Sequence, residues 1–278
     1  TVTGAVAEPR SMTVPIGITA AECVEAAGGA TIDDWLLLDG GAMMGKLVDG
    51  NALVTKRSGG YILLPRDHTL VKRRTQTLEV NQVISRSACD QCTYCTEFCP
   101  RYLLGYAIEP HKVMRSVGFA GEAEAGWAQL GLQCCECNLC SLYACPEDLP
   151  VMEMCVQSKA IWRERPDKEP LLPHAGEPHP MGPFRRVPIP RLIQRLGLTD
   201  WDRPAPMDGV TVNPNQVRIP LSQHIGAPAK ATVSEGDRVT VGQEIGAAPE
   251  GTLSVPVHAS IAGTVTHVSD HIEIRRDR

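Results

Sequence analysis

Two short runs of cysteine limit what this chain can fold around more than any other feature. Residues 87–101 read SACDQCTYCTEFCPR, and residues 132–148 read LQCCECNLCSLYACPED. The first spaces Cys89, Cys92, Cys95 and Cys99 as C-x2-C-x2-C-x3-C-P, which is the spacing of bacterial-type [4Fe–4S] ligation. The second, Cys134, Cys137, Cys140 and Cys145, carries one extra residue before its last cysteine. Three thiolates at steps of three wrap a short loop around one face of a cube, so the fourth must approach from elsewhere. The proline after each run keeps the chain from continuing as helix beside the cluster. In two-cluster ferredoxins the fourth cysteine of each run ligates the other cluster. On that rule Cys89, Cys92, Cys95 and Cys145 hold one [4Fe–4S] cluster, and Cys134, Cys137, Cys140 and Cys99 hold the second.

Other uses of these thiols fit less well. Zinc sites usually draw cysteines as separated C-x2-C pairs. Disulfides belong to exported proteins, and no export signal is visible. Radical chemistry on S-adenosylmethionine would need a lone three-cysteine set, whereas each run here supplies a fourth. Of the remaining cysteines, Cys135 would break the x2 spacing to Cys137 and reads as a bystander, while Cys23 and Cys155 lie in helix-like stretches as buried packing residues.

At 278 residues, the chain is long enough for two or three domains, and with 25 glycines, 22 prolines and only 4% aromatic residues, several small turn-rich modules are expected. The expected class is multidomain α+β. Residues 1–66 read as short strands (TVTGAV, SMTVPI, WLLLD, ALVTK, GYILLP) around one helix, TAAECVEAAGG, that ends in glycines. That pattern is a small α+β module, resembling a β-grasp, SLBB-like domain. Residues 67–165 form an α-helical, two-cluster ferredoxin-like segment, with helical composition over 110–133 and a further helix over 150–165 that has Pro150 at its start. Residues 166–216 read as a proline-rich linker interrupted by a short helix, IPRLIQRLGL. Residues 217–278 alternate apolar and polar with glycine turns, as expected for a C-terminal β barrel-sandwich hybrid.

The formal charge of -5 and the single brief basic cluster VKRR (71–74), read as a solvated face or a cap at a domain junction, give nucleic-acid binding no support. The longest apolar runs fall short of the ~20 residues of a spanning helix, so a soluble, non-membrane-spanning protein is expected. GGAMMGKL (40–47) fits the phosphate-loop spacing, but Leu47 stands where Ser or Thr should hold magnesium, and a turn and strand follow rather than a helix. It reads as a tight glycine turn. None of the eight histidines sits in D-x-H-x-x-G, the mark of a corrinoid-holding Rossmann domain, and His68, His224 and His258 are expected to serve turns and packing. In the C-terminal part VSEGDRVTVGQEIG and VPVHASIAGTV are half-repeats of a flattened sandwich resembling biotinyl and lipoyl carriers, with turns at Gly236-Asp237 and Gly263. The hairpin between them, AAPEGTLS, has no lysine for a swinging arm, so a docking or structural role is expected.

Taken in order, the modules resemble the propanediol-utilisation cobalamin reductases of bacterial microcompartments, a family itself similar to the C subunit of the Rnf electron-transport complex. The segments carrying the resemblance are VPIG and GGAMMG, then CDQCTYCTEFCPRYLLG and CCECNLCSLYACP, then QHIGAPA and VPVHASIAG. The resemblance implies a C-terminal part of a longer enzyme whose N-terminal Rossmann-like domain binds FMN and NADH, with the two clusters passing single electrons to cobalamin. It also implies a corrinoid substrate, a cytoplasmic location inside a microcompartment, and as partners a B12-dependent dehydratase, an adenosyltransferase or shell proteins. Two other roles are open at this stage: an electron-relay subunit of an Rnf-like NADH:ferredoxin oxidoreductase complex, or a docking module with structural clusters.

Overall fold

A computed structural model describes residues 1–119, 128–164 and 176–277. The chain forms two compact units, one made of residues 1–41, 45–66 and 201–278, the other of residues 42–44 and 67–200.

The first unit is mostly sheet. Its N-terminal part contains β1 (Val2–Gly4), β2 (Ser11–Thr13), α1 (Ala20–Ala26), β3 (Trp35–Asp39), β4 (Lys46–Val48) and β5 (Tyr61–Pro65). Its C-terminal part contains β6 (Met207–Thr211), β7 (Gln216–Pro220), β8 (Lys230–Ala231), β9 (Arg238–Val239), β10 (Glu244–Ala247), β11 (Val257–His258), β12 (Gly263–Val268) and β13 (His271–Arg275). Four strands pair in the order β1-β5-β3-β4, with β1 parallel to β5 and the other pairs antiparallel. The helix α1 starts as its sequence predicts. Thr19 Oγ1 accepts from the Glu22 amide at 3.2 Å, and the Glu22 carboxylate accepts from the Thr19 amide at 2.7 Å, a reciprocal cap. Gly28 and Gly29 follow with φ near +81° and +82°, as helix ends require.

The C-terminal strands form two sheets, β11-β10-β8 and β7-β13-β12-β9. Burial alternates along β7 and β13, so that Val217, Ile219, Ile272 and Ile274 face inward. The sequence treats 1–66 and 217–278 as separate modules, whereas in the structure they share one core, in which Ile18, Leu37 and Leu63 join Ile219, Ile245 and Ile272. Polar links reinforce it. The buried Gln223 accepts from the Lys56 amide and donates to the Pro220 carbonyl, both at 2.9 Å, and Ser260 donates to the Ile16 carbonyl at 2.6 Å. β2 and β6 add a parallel pair, so part of the stretch read as linker is strand.

Three local expectations need correction. Residues 52–56 form no strand, only the bridge Thr19↔Leu53, because the chain there turns back to cap α1 through the Ala20 and Ala21 amides. Gly263 is not a turn residue. It lies in β12, so close to β13 that a Cβ would collide with the Arg275 carbonyl. VKRR is not a solvated face, as the second unit shows below. The glycine stretch 40–45 is a tight turn closed by Gly45 N–H to the Gly41 carbonyl at 2.6 Å, and the strand β4 follows it.

The second unit is helical: α2 (Thr69–Thr75), α3 (Leu78–Ala88), α4 (Tyr94–Glu97), α5 (Pro100–Leu103), α6 (Pro110–Phe119), α7 (Val151–Glu164) and α8 (Ile189–Arg195). His68 caps α2 by accepting from the Leu70 amide at 3.2 Å, and Thr77 caps α3. Its core collects Val113 and Met114 of α6 with Leu149, Val151, Met154 and Cys155 around the second cysteine run. Helix was expected over 110–133, but α6 ends at Phe119, residues 120–127 lie outside the described set, and 128–133 form a 3-10 turn. Residues 176–182 are tied back onto the end of α5, with Gly176 N–H to the Gly105 carbonyl and His179 N–H to the Leu103 carbonyl, both at 2.9 Å.

Candidate metal centre

Both cysteine runs lie in the helical unit, and their loops have the same backbone shape. In the first, Gln91 and Thr93 take left-handed φ values of 57° and 65°. In the second, Glu136 and Asn138 take 58° and 63°. Each pair stands two residues after the first cysteine and one after the second, counting from Cys89 and Cys92 or from Cys134 and Cys137. Non-glycine residues adopt this region only where the surroundings demand it. Here it gives both loops the same turn between successive cysteines. The runs end differently. Cys99 donates its amide to the Thr96 carbonyl, whereas the Cys145 amide reaches back five residues to the Cys140 carbonyl at 3.0 Å. That π turn, Cys140–Ala144, absorbs the extra residue of the second run.

Cys89, Cys92, Cys95 and Cys145 line one cavity, together with Met114, Leu149 and Val151. Burial pushes the Cys95 thiol up to about 12, and its charge neighbours are Cys145, Cys92 and Cys89. The other fourth cysteine has the reciprocal position: Cys99 neighbours Cys134 and Cys135, and Cys140 neighbours Cys134, Cys99 and Cys137, with Cys95 of the first set also nearby. Burial raises Cys99 to about 11 and Cys137 to about 12. Among the described residues no three side chains converge on a point suited to a single metal ion. Cys99, Cys140 and Cys145 are buried, Cys89, Cys95, Cys134 and Cys137 are half-buried and Cys92 is exposed, and two of the sulfurs have amide donors. Glu136 N–H lies 3.3 Å from Cys134 Sγ and Leu149 N–H lies 3.4 Å from Cys145 Sγ. Burial makes Cys95, Cys99, Cys137, Cys140 and Cys145 resist ionisation alone, and such thiols with N–H groups near sulfur fit a cationic iron–sulfur core bound through thiolates.

Several supporting residues carry no sequence signal. The Cys155 thiol hydrogen-bonds Cys134, and this bond lowers the Cys134 pKa. The sequence makes Cys155 a packing residue. It is fully buried and also a partner to sulfur, because α7 passes directly behind the second loop. Lys159, one turn further along, bonds the Cys134 carbonyl and the Glu136 carboxylate, each at 2.6 Å. Arg73 of the VKRR cluster donates to the Ser141 carbonyl at 2.7 Å and to the Asp148 carbonyl at 3.0 Å, and Arg195 donates to the Cys145 carbonyl at 2.7 Å. Asp148, itself left-handed at φ 53°, accepts from both guanidinium groups. Arg73→Ala strands a carbonyl and half of this clamp, so a loss of about 2 kcal/mol in chemical denaturation is expected. An unchanged denaturation midpoint would return VKRR to the solvated face.

Cys135 neighbours both Cys137 and Cys99. Of the histidines, His68 caps α2, and His224 holds a loop by accepting from the Val255 amide at 3.2 Å.

Three domain models match parts of the chain: an SLBB domain over residues 1–47, a 4Fe-4S dicluster domain over 88–150, and an RnfC barrel sandwich hybrid domain over 209–277. Fold and site together define an SLBB- and RnfC-like protein with an iron–sulfur dicluster domain. Over 97% of its length the chain is 41% identical to the cobalamin reductase PduS of Salmonella typhimurium and 38% identical to that of Citrobacter freundii. The chain spans 60% of the length of those reductases. A 70-residue stretch, 25% of the chain, is 46% identical to the C subunit of the Na(+)-translocating ferredoxin:NAD(+) oxidoreductase complex of Acetobacterium woodii and covers 16% of that protein. No helix among the described residues is long and apolar enough to cross a membrane.

Proposed function

We propose that this chain is the iron–sulfur electron-transfer part of a corrinoid reductase, reducing cobalamin with electrons from an NADH-reduced flavin. The observation that carries this reading is the alignment of nearly the whole chain with the PduS reductases, against a quarter of it with the Rnf-type protein. In the proposed assignment Cys89, Cys92, Cys95 and Cys145 bind one [4Fe–4S] cluster, and Cys134, Cys137, Cys140 and Cys99 bind the other. Supporting it are the shared cavity of the first set and the mutual neighbourhood of the second. When bound, such clusters supply one-electron oxidation and reduction.

The protein's own part is to hold and bias that chemistry. Amide and thiol donors stabilise negative charge on the sulfurs, which favours the reduced state, and the apolar wall of Met114, Leu149 and Val151 keeps water away. The left-handed pair in the second loop is in register with Cys134, not Cys135. Cys135→Ser is therefore expected to retain both clusters, with the iron content and the EPR spectrum of the parent. Loss of one cluster would make Cys135 the ligand instead. The reading also puts the protein in a microcompartment, serving a B12-dependent dehydratase beside an adenosyltransferase or shell proteins.

The direct test is anaerobic reconstitution, which should give about eight irons per chain and two interacting S = 1/2 signals on reduction. Mixing the reduced protein with cob(III)alamin should yield the cob(II)alamin spectrum as the clusters reoxidise. Stoichiometric zinc would remove the cluster assignment, and a corrinoid left oxidised by fully reduced clusters would remove the reductase reading.

A further inference from the structure

The helical unit holds a second cavity, of about 370 Å³, that shares Thr93 and His111 with the wall of the cysteine cavity. Its size is at the low end of the ~300–1,000 Å³ usual for small-molecule sites. That is too small for a corrin macrocycle with its amide arms, but it suits one bicyclic ring and a sugar.

The wall chemistry is specific. Tyr102 and His179 present adjacent rings, with centroids 5.2 Å apart and tilted by 35°, as an aromatic surface. Thr96, 4% exposed, accepts from the His111 amide at 3.1 Å, and its oxygen lies 2.8 Å from His111 Nδ1. A buried hydroxyl needs an acceptor for its proton, and Nδ1 is the one in reach. This network assigns the imidazole proton to Nε2, making Nε2–H a donor. Its nearest charged neighbour, Glu109 Oε2, is 3.9 Å away and outside hydrogen-bond range. Burial holds the His111 pKa below its ordinary value. The carboxylates of Glu97 and Glu109 also line the cavity, each neutralised by a cation: Arg185 at 2.8 Å and Lys112 at 2.7 Å. The site therefore has a flat apolar face, one donor suited to a ring nitrogen, and carboxylate acceptors suited to sugar hydroxyls. It is linked to the cysteine loop through Thr96, which follows Cys95 in the chain.

We propose that this cavity takes the benzimidazole–ribose end of the cobalamin nucleotide tail, so that the corrinoid is bound base-off with its ring at the cavity mouth. This rests on the corrinoid reading above. The dative bond from the benzimidazole nitrogen to cobalt breaks, and the freed lone pair accepts His111 Nε2–H. No electron moves in this step. Removing an electron-pair donor from the axial position of cobalt makes the metal easier to reduce, which is the task of a corrinoid reductase.

The test uses the reconstituted chain with its clusters oxidised and EPR-silent, titrated with cob(II)alamin and with cob(II)inamide, which has no nucleotide tail. Bound cob(II)alamin should lose the nitrogen superhyperfine splitting of the base-on form, and cob(II)inamide should bind at least about tenfold more weakly. His111→Leu should restore the splitting or weaken cob(II)alamin binding to a similar degree, and His179→Ala, a second lesion in the same wall, should do likewise. Retained splitting in the parent protein, or equal affinity for both corrinoids with no effect of either variant, overturns the cavity assignment while leaving the reductase reading intact. Failure of both corrinoids to bind overturns the cavity assignment and the reductase reading together.

Discussion

Cys99→Ala is expected to reduce iron from about eight to about four atoms per chain, by removing the cluster proposed for the second cysteine run while sparing the cluster of the first. Cys99 belongs by sequence to the first run, but its side chain is buried next to Cys134 and Cys140, whereas Cys89, Cys92 and Cys95 share their cavity with Cys145. A double variant separates the two arrangements. With ligands exchanged between runs, Cys99→Ala and Cys137→Ala strike the same cluster, so the double variant keeps about four irons and one EPR signal. With each run self-contained, the two changes strike different clusters and the double variant loses all its iron. That second outcome would end the exchange proposal.

Met154→Ala should destabilise the helical unit by about 3 kcal/mol, read as a fall in the urea midpoint of the reconstituted protein. Met154 is completely buried, in a core of Val113, Met114, Leu149, Val151 and Cys155. Truncation removes three heavy atoms from a space the neighbours cannot refill, because α6 and α7 are held in place by the loops that carry the cysteines. The same helix has an internal control. Val156, 39% exposed, lies on the other face, and Val156→Ala should change stability by no more than about 0.5 kcal/mol. Equal losses from both positions would mean that α7 is not packed as described. The cavity left at Met154 lies beside Cys155, so a weakened hydrogen bond to Cys134 should accompany the stability loss, visible as a shift in the EPR line shape of one cluster only.

Local signals in the sequence have clear physical origins. Thr19 and Glu22 mark the start of α1 because both ends of the reciprocal cap lie within four residues. The alternation of Val217, Ile219, Ile272 and Ile274 marks strands with one buried face. Cysteines at steps of three announce a cluster loop, since the ligands on one face of a cube must come from one tight turn. Signals that depend on distant segments were not legible in this way. Nothing in VKRR distinguishes Arg73, which clamps the second cysteine loop, from a solvent-facing arginine, and nothing in the α7 sequence marks Cys155 as a partner of sulfur. The proline-rich stretch reads as linker by composition, yet residues 176–182 bond back onto α5, and His179 forms a wall of the second cavity.

The sequence by itself determined the order of modules, the chemistry of the two cysteine runs and the resemblance to the cobalamin reductases, because each depends on residue type at short, fixed spacing. Only the tertiary structure decided that residues 1–66 and 201–278 close around one apolar core, and that a ring-walled cavity stands against the first cysteine loop. Those outcomes depend on which buried faces meet across long stretches of chain. Apolar burial is non-directional, so a local pattern shows that a face must be covered without naming what covers it.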